Sequence, residues 1–150
     1  YTNYDVNKDN VDMVLVRDIN DNAIQISFIA TKPNNNFMKY LINHITNDIL
    51  NKKKGKNCLD FTGPQAFYRY FKLFFKINNI PEGITRLKGL DNKYYKIRID
   101  LRQTNKLFFK NIFSKKIIAS TKTKDHNNDL IRITKMPKYH VLWDKNQLFK

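Results

Sequence analysis

The chain has 150 residues and a formal net charge of +15, from 28 Lys and Arg against 13 Asp and Glu. With 41% hydrophobic and 13% aromatic residues, and only four glycines and four prolines, it suits one domain and is excluded from the linker, low-complexity and disordered classes. The single cysteine, Cys58, excludes an internal disulfide framework, the three histidines add no zinc-ligand spacing, and no apolar run approaches the roughly 18 residues that span a bilayer.

In chain order, residues 1–10 are polar and aperiodic and read as a frayed end, leaving 11–150 as the domain. Met13 to Val16 is a short apolar run bounded by charges, the mark of a buried strand. Asp18 to Asn22 is a turn cluster, and Ala23 to Thr31, β-branched and apolar, is a second strand. Lys32 to Asn36 breaks that strand and offers helix caps. Phe37, Leu41, Ile45 and Ile49 then mark an amphipathic helix to about Leu50.

A basic loop follows, with Lys52, Lys53, Lys54 and Lys56 at the expected helix end. Thr62-Gly63-Pro64 precedes Phe67, Tyr70, Phe71, Phe74 and Phe75, whose spacing is one face of a second helix. Thr62 or Gly63 caps it and Pro64 fits its first turn. Asn78 to Gly83 ends it. The remainder reads as β-rich: a strand over Tyr94–Leu101, a short helix and then a strand within Leu107–Ile118, and short strands at Leu130–Thr134 and His140–Trp143.

The positive charge admits three readings. One is a polyanion such as nucleic acid, disfavoured because the lysines are spread along the chain. One is codon bias, since Lys, Asn and Ile are abundant together. The third is a surface that helps hold a nucleotide diphosphate or an acidic glycan. Catalytic templates are missing: the chain has no phosphate-binding glycine loop and no nucleophile elbow. The carboxylate pairs Asp9 with Asp12 and Asp18 with Asp21 read as solvated turn residues. His44 and His126 read as surface residues. A helix opened by Thr62-Gly63-Pro64 presents unpaired N–H groups and a positive dipole end, which suit phosphates or sugar hydroxyls. The alternative is a well-capped core helix.

The order of blocks adds to this. Asp12 to Asp18 is followed by Phe28-Ile-Ala-Thr-Lys-Pro-Asn34, a helix, Leu59 to Pro64, an aromatic helix, and near the end Tyr139-His140-Val-Leu-Trp143. This series resembles the glycosyltransferase sugar-binding region containing the DXD motif, the glycosyltransferase family 32-like group that includes mannosyltransferases. The resemblance covers residues 11–76 well and the last third weakly. It implies an α/β fold of the GT-A nucleotide-sugar transferase type, a nucleotide-sugar donor such as GDP-mannose, Mn²⁺, and a glycan or glycolipid acceptor. Relatives act in the Golgi lumen or are encoded by giant DNA viruses, whose AT-rich genomes suit this composition.

By the same resemblance Thr62, Gly63 and Pro64 lie at the sugar-binding side of the cleft. Asp60 stands where an acidic residue accepts a sugar hydroxyl, with a structural turn as the equal alternative. His140 is similar to a histidine that helps hold metal or diphosphate, although its spacing to Trp143 differs. Two departures count. No Asp-x-Asp occurs anywhere, and Ile26 stands where relatives often carry asparagine. Together with a start at Tyr1, these lead to the expectation of a truncated enzyme, the C-terminal part of the fold without its DXD half. A catalytically inactive sugar-binding remnant is the alternative.

Overall fold

A computed structural model describes residues 10–18, 23–53, 55–56, 60, 62–101, 108–110 and 117–120. Of the frayed end expected over 1–10, residues 1–9 lie outside the described residues, as do the strands expected at 130–134 and 140–143. The architecture is α/β. Strands β1 (Met13–Arg17) and β2 (Ile24–Thr31) are followed by helices α1 (Asn36–Leu50) and α2 (Pro64–Phe75). Strands β3 (Gly83–Lys88), β4 (Tyr94–Leu101), β5 (Phe108–Lys110) and β6 (Ile117–Ser120) complete the order.

The first four strands form one mixed sheet in the order β2-β1-β4-β3. β1 pairs with β2 antiparallel and with β4 parallel, with Met13 opposite Thr31 on one side and Ile97 on the other. The composition of β1 explains its central place. Met13, Val14, Leu15 and Val16 are all fully buried, so both faces of the strand are covered, as a continuous apolar run requires. β4 alternates instead. Tyr95, Ile97 and Ile99 join the core beneath the helices, while Arg98 and Asp100 point to the opposite face and are also buried. Their side chains form an ion pair at 3.2 Å.

β3 is a strand that local sequence does not mark. Ile84 is exposed and Thr85 and Leu87 are half-buried, so its outward apolar residue breaks the usual in-and-out pattern. Its pairing with β4 supplies what its own sequence lacks. The Gly89 N–H donates to the Lys93 carbonyl at 2.9 Å to close the hairpin, and the Leu90 N–H donates to the Phe74 carbonyl at 2.9 Å, tying the turn to α2.

The short helix expected after Leu107 is corrected: residues 108–110 are the strand β5, which pairs antiparallel with β6. In the register Phe108 lies opposite Ser120 and Phe109 opposite Ala119, and phenylalanine and β-branched isoleucine both favour extended backbone.

α2 lies against one face of the large sheet, where Phe74 and Phe75 meet Tyr95, and α1 packs on α2 with Phe37 at the meeting point. The Phe37 ring is fully buried and lies 5.3 to 5.5 Å from the rings of Phe67, Phe71, Phe74 and Phe75. The aromatic stripe of α2 is buried as its spacing predicts, and Tyr68 is buried beside it. α1 departs from its expected stripe. Phe37 and Leu41 face inward, but Ile49 is 44% exposed and Asp48 is 8% exposed. A repeat of four advances faster than the 3.6 residues of a helical turn, so each step drifts about 40° around the axis. By the third step, at Ile49, the apolar residue has left the core and Asp48 has taken its place.

Asp12 holds the start of β1. Its carboxylate accepts from the Lys96 N–H at 2.8 Å and the Lys32 ammonium at 3.0 Å, and its own N–H donates to the Lys96 carbonyl at 2.7 Å. Burial alone would raise the Asp12 carboxyl, but the Lys96 N–H and the Lys32 ammonium outweigh it and hold it below the ordinary carboxylate value. This corrects the reading of Asp12 as a solvated turn residue.

Candidate functional site

The Thr62-Gly63-Pro64 turn opens α2 as expected. Thr62 is exposed, Gly63 is the N-cap with φ −93° and ψ −156°, and Pro64 occupies the first turn. The Phe67 N–H donates to the Gly63 carbonyl at 3.1 Å, and no side chain caps this end. Pro64 has no N–H to satisfy. The amides of Gln65 and Ala66 lie in the first turn, where the helix itself offers no carbonyl and the dipole is positive.

Asp60 stands just before this turn and is tied down. Its Oδ1 accepts from Arg69 Nη1, its Oδ2 accepts from the Lys56 N–H at 2.9 Å, and its carbonyl accepts from Arg69 Nη1 at 3.1 Å. The loop closes around it. A Cβ placed on Gly55 would stand 2.8 Å from Asp60 Oδ2 and 3.0 Å from the Asp60 carbonyl carbon. These contacts anchor the loop to the first turns of α2.

Arg69 links Asp60 to a second carboxylate that sequence reasoning missed. Arg69 Nη2 lies 3.4 Å from Asp48 Oδ2, and Lys53 Nζ lies 3.2 Å from Asp48 Oδ1. The Tyr70 hydroxyl also donates to Asp48 Oδ2. Burial would raise the Asp48 carboxyl, but the Tyr70 hydroxyl, Lys53 and Arg69 together hold it below the ordinary value. Burial raises the Tyr70 phenol, and the Asp48 carboxylate adds to the rise. A signal for Asp48 was present, since it lies seven residues after Leu41 and so on the same face of α1. His44 is half-buried rather than a plain surface residue, with its ring stacked 5.0 Å from Tyr70 and 4.1 Å from Tyr40.

The expected site residues therefore divide. Asp60, Thr62, Gly63 and Pro64 meet at the start of α2, and His140 lies outside the described residues. Among the described residues no three of His, Cys, Asp and Glu gather as metal ligands. The Mn²⁺ implied by the resemblance thus finds no ligand set in this part of the chain. Among the same residues no helix is long and apolar enough to cross a membrane.

What fold and site define together is an α/β domain with a four-stranded mixed sheet and an uncapped helix start beside an arginine-bridged carboxylate pair. Compared with known proteins, the chain matches no protein-family model, no curated protein and no solved structure.

Proposed function

We propose that this chain is the sugar-binding part of a glycosyltransferase of the GT-A type, which moves a hexose such as mannose from a nucleotide sugar to a glycan or lipid acceptor. The observation that carries the reading is the start of α2. Thr62-Gly63-Pro64 is an uncapped helix N-terminus, with Thr62 exposed, Gly63 and Pro64 half-buried, and the Asp60 carboxylate beside it. First-turn amides and the helix dipole attract phosphate or sugar oxygens, and a carboxylate accepts from sugar hydroxyls. The ordered blocks support it as well. The Asp12 and Phe28 blocks pair as the neighbouring strands β1 and β2, and Phe37 on the following helix packs on α2.

In such a transfer the bond from the sugar C1 to the phosphate oxygen breaks and a bond from C1 to the acceptor oxygen forms. The nucleoside diphosphate leaves, and the acceptor hydroxyl gives up its proton. On this reading the residues here bind and orient the sugar. Asp60, Thr62 and the amide of the half-buried Gln65 face it, and Arg69, itself held by Asp48, fixes Asp60 in place.

Thermal denaturation with GDP, UDP and their hexose conjugates, each with and without Mn²⁺, tests the proposal, because a ligand selective for the folded state raises the midpoint. A rise with one nucleotide sugar, reduced in Asp60→Asn, is the expected result. A folded chain whose midpoint no nucleotide sugar and no free hexose moves overturns it. A second reading, a non-catalytic sugar-binding module, is favoured by the ion pair of Asp60 with Arg69, which commits the carboxylate to holding the loop against α2. It predicts a rise with the free sugar that is independent of Mn²⁺.

A further inference from the structure

A separate groove runs along the outward face of α2 and its C-terminal cap. It encloses about 610 Å³ and is lined, among the described residues, by Tyr68, Arg69, Lys72, Leu73, Lys76 and Ile77, with Asn78 at its end. That volume is in the range of small-molecule sites, about 300–1,000 Å³. Its charged groups all carry one sign. Arg69 is committed to Asp48 and Asp60. Lys72 and Lys76 meet no carboxylate among the described residues; Lys72 instead lies over the Tyr68 ring at 5.2 Å. They stand four residues apart, on one face of the helix, and Lys76 takes a left-handed conformation (φ 52°) that ends it. Between them Leu73 is 53% exposed, and Ile77 is half-buried.

We propose that this groove binds a phosphate ester joined to an apolar group, with the phosphate between the Lys72 and Lys76 ammonium groups and the apolar part on Leu73 and Ile77. Two lysines that meet no carboxylate among the described residues, both lining a concave site, create a positive field that a doubly charged phosphate complements. The apolar residues beside them match the other half of an amphiphile. A nucleic acid strand fits less well. Its bases call for exposed aromatic faces, whereas Tyr68 is only 9% exposed and covered by Lys72. The inference is independent of the sugar-binding reading, since Lys72 and Lys76 lie beyond the α2 N-terminus that carries it.

The phosphate can belong to a lipid headgroup or to a soluble ester, and two arms separate these sources. One measures co-sedimentation with phosphatidylcholine vesicles, plain or doped with phosphatidic acid. The other measures the thermal midpoint with inorganic pyrophosphate. Each is run on the unaltered chain, on Lys72→Glu/Lys76→Glu, and on Lys39→Glu/Lys88→Glu, which makes the same charge change at exposed positions outside the groove. Binding to the doped vesicles that falls roughly tenfold or more in the groove variant, and much less in the control, establishes a lipid source. A pyrophosphate response that only the groove variant loses, without vesicle binding, establishes a soluble one. Equal losses in both variants, or no response to either probe, overturn the proposal. Loss of binding to a single-stranded oligonucleotide, with both phosphate probes inert, replaces it with a nucleic-acid site. A Tyr68→Phe chain retaining the response shows that the lysines, and not the phenol, hold the ligand.

Discussion

The Tyr70 hydroxyl, on α2, donates to the Asp48 carboxylate on α1, so the one acidic side chain on the inner face of α1 is answered by a phenol from the aromatic stripe that packs against it. This bond replaces an apolar contact at the place where the α1 stripe drifts out of the core. Removing the hydroxyl in Tyr70→Phe leaves Asp48 with Arg69 and Lys53 alone. It costs about 1–2 kcal/mol, read as a lower midpoint in urea with an unchanged slope. Asp48→Leu at the same position removes the buried carboxylate but strands the Tyr70 hydroxyl and part of Arg69, and is expected to destabilise as well.

Phe37 is the larger test of the core. Four rings of α2 surround it, so Phe37→Ala empties the centre of the helix pair and is expected to cost about 3–5 kcal/mol. Phe37→Leu keeps most of the volume and is expected to cost distinctly less. Chemical denaturation of the two variants checks the order.

Gly89 closes the β3–β4 hairpin against α2. A Cβ there would stand 2.5 Å from Phe74 Cε1 and 2.7 Å from Asp91 Oδ1. Gly89→Ala therefore forces a buried ring and a hydrogen-bonded carboxylate apart, for about 1–3 kcal/mol. The displaced Asp91 matters because it accepts from Asn36 Nδ2 at 2.7 Å and from the Tyr95 hydroxyl at 2.6 Å. A midpoint equal to that of the unaltered chain would contradict this packing.

Acid sensitivity follows from three carboxylates. Asp12, Asp48 and Asp91 are all held below the ordinary value, because their hydrogen bonds and nearby cations outweigh burial. A carboxyl whose folded value is depressed contributes stability that is fully present above the unfolded value, about 3.9, and is lost as pH falls through the folded one. Stability is expected to be level from neutral pH down to about pH 5 and to fall steeply below about pH 4. Asp48→Asn should flatten part of that slope. At the other extreme, burial and then Asp91 raise the Tyr95 phenol, so its contribution is present below the unfolded value, about 10, and is lost as pH rises beyond it.

Spacing made some of this legible and distance hid the rest. The α2 stripe and its Thr62-Gly63-Pro64 start could be read because every relation lies within two or three turns of one helix. β1 could be read because its first four residues, Met13 to Val16, are covered on both faces and are all apolar. α1 was read one residue off its inner face, since a repeat of four mimics a helical stripe until it drifts, and Asp48 was passed over for Ile49. Asp12 looked like a turn residue because its partner Lys96 is 84 residues away. Tyr70 and Asp48 are 22 residues apart, and Arg69 and Asp60 nine, and neither separation corresponds to a local period. Asp60, Thr62, Gly63 and Pro64 were legible as neighbours in sequence, but the arginine bridge that holds Asp60 was not.

The central claim, that the start of α2 faces a sugar, is tested most directly by backbone amide NMR during titration with a nucleotide hexose, using Mg²⁺ as a diamagnetic ion. The account predicts saturable shifts concentrated at Asp60, Thr62, Gly63, Gln65 and Ala66, diminished in Asp60→Asn. Saturable shifts that leave those amides unmoved and gather elsewhere on the fold would contradict it.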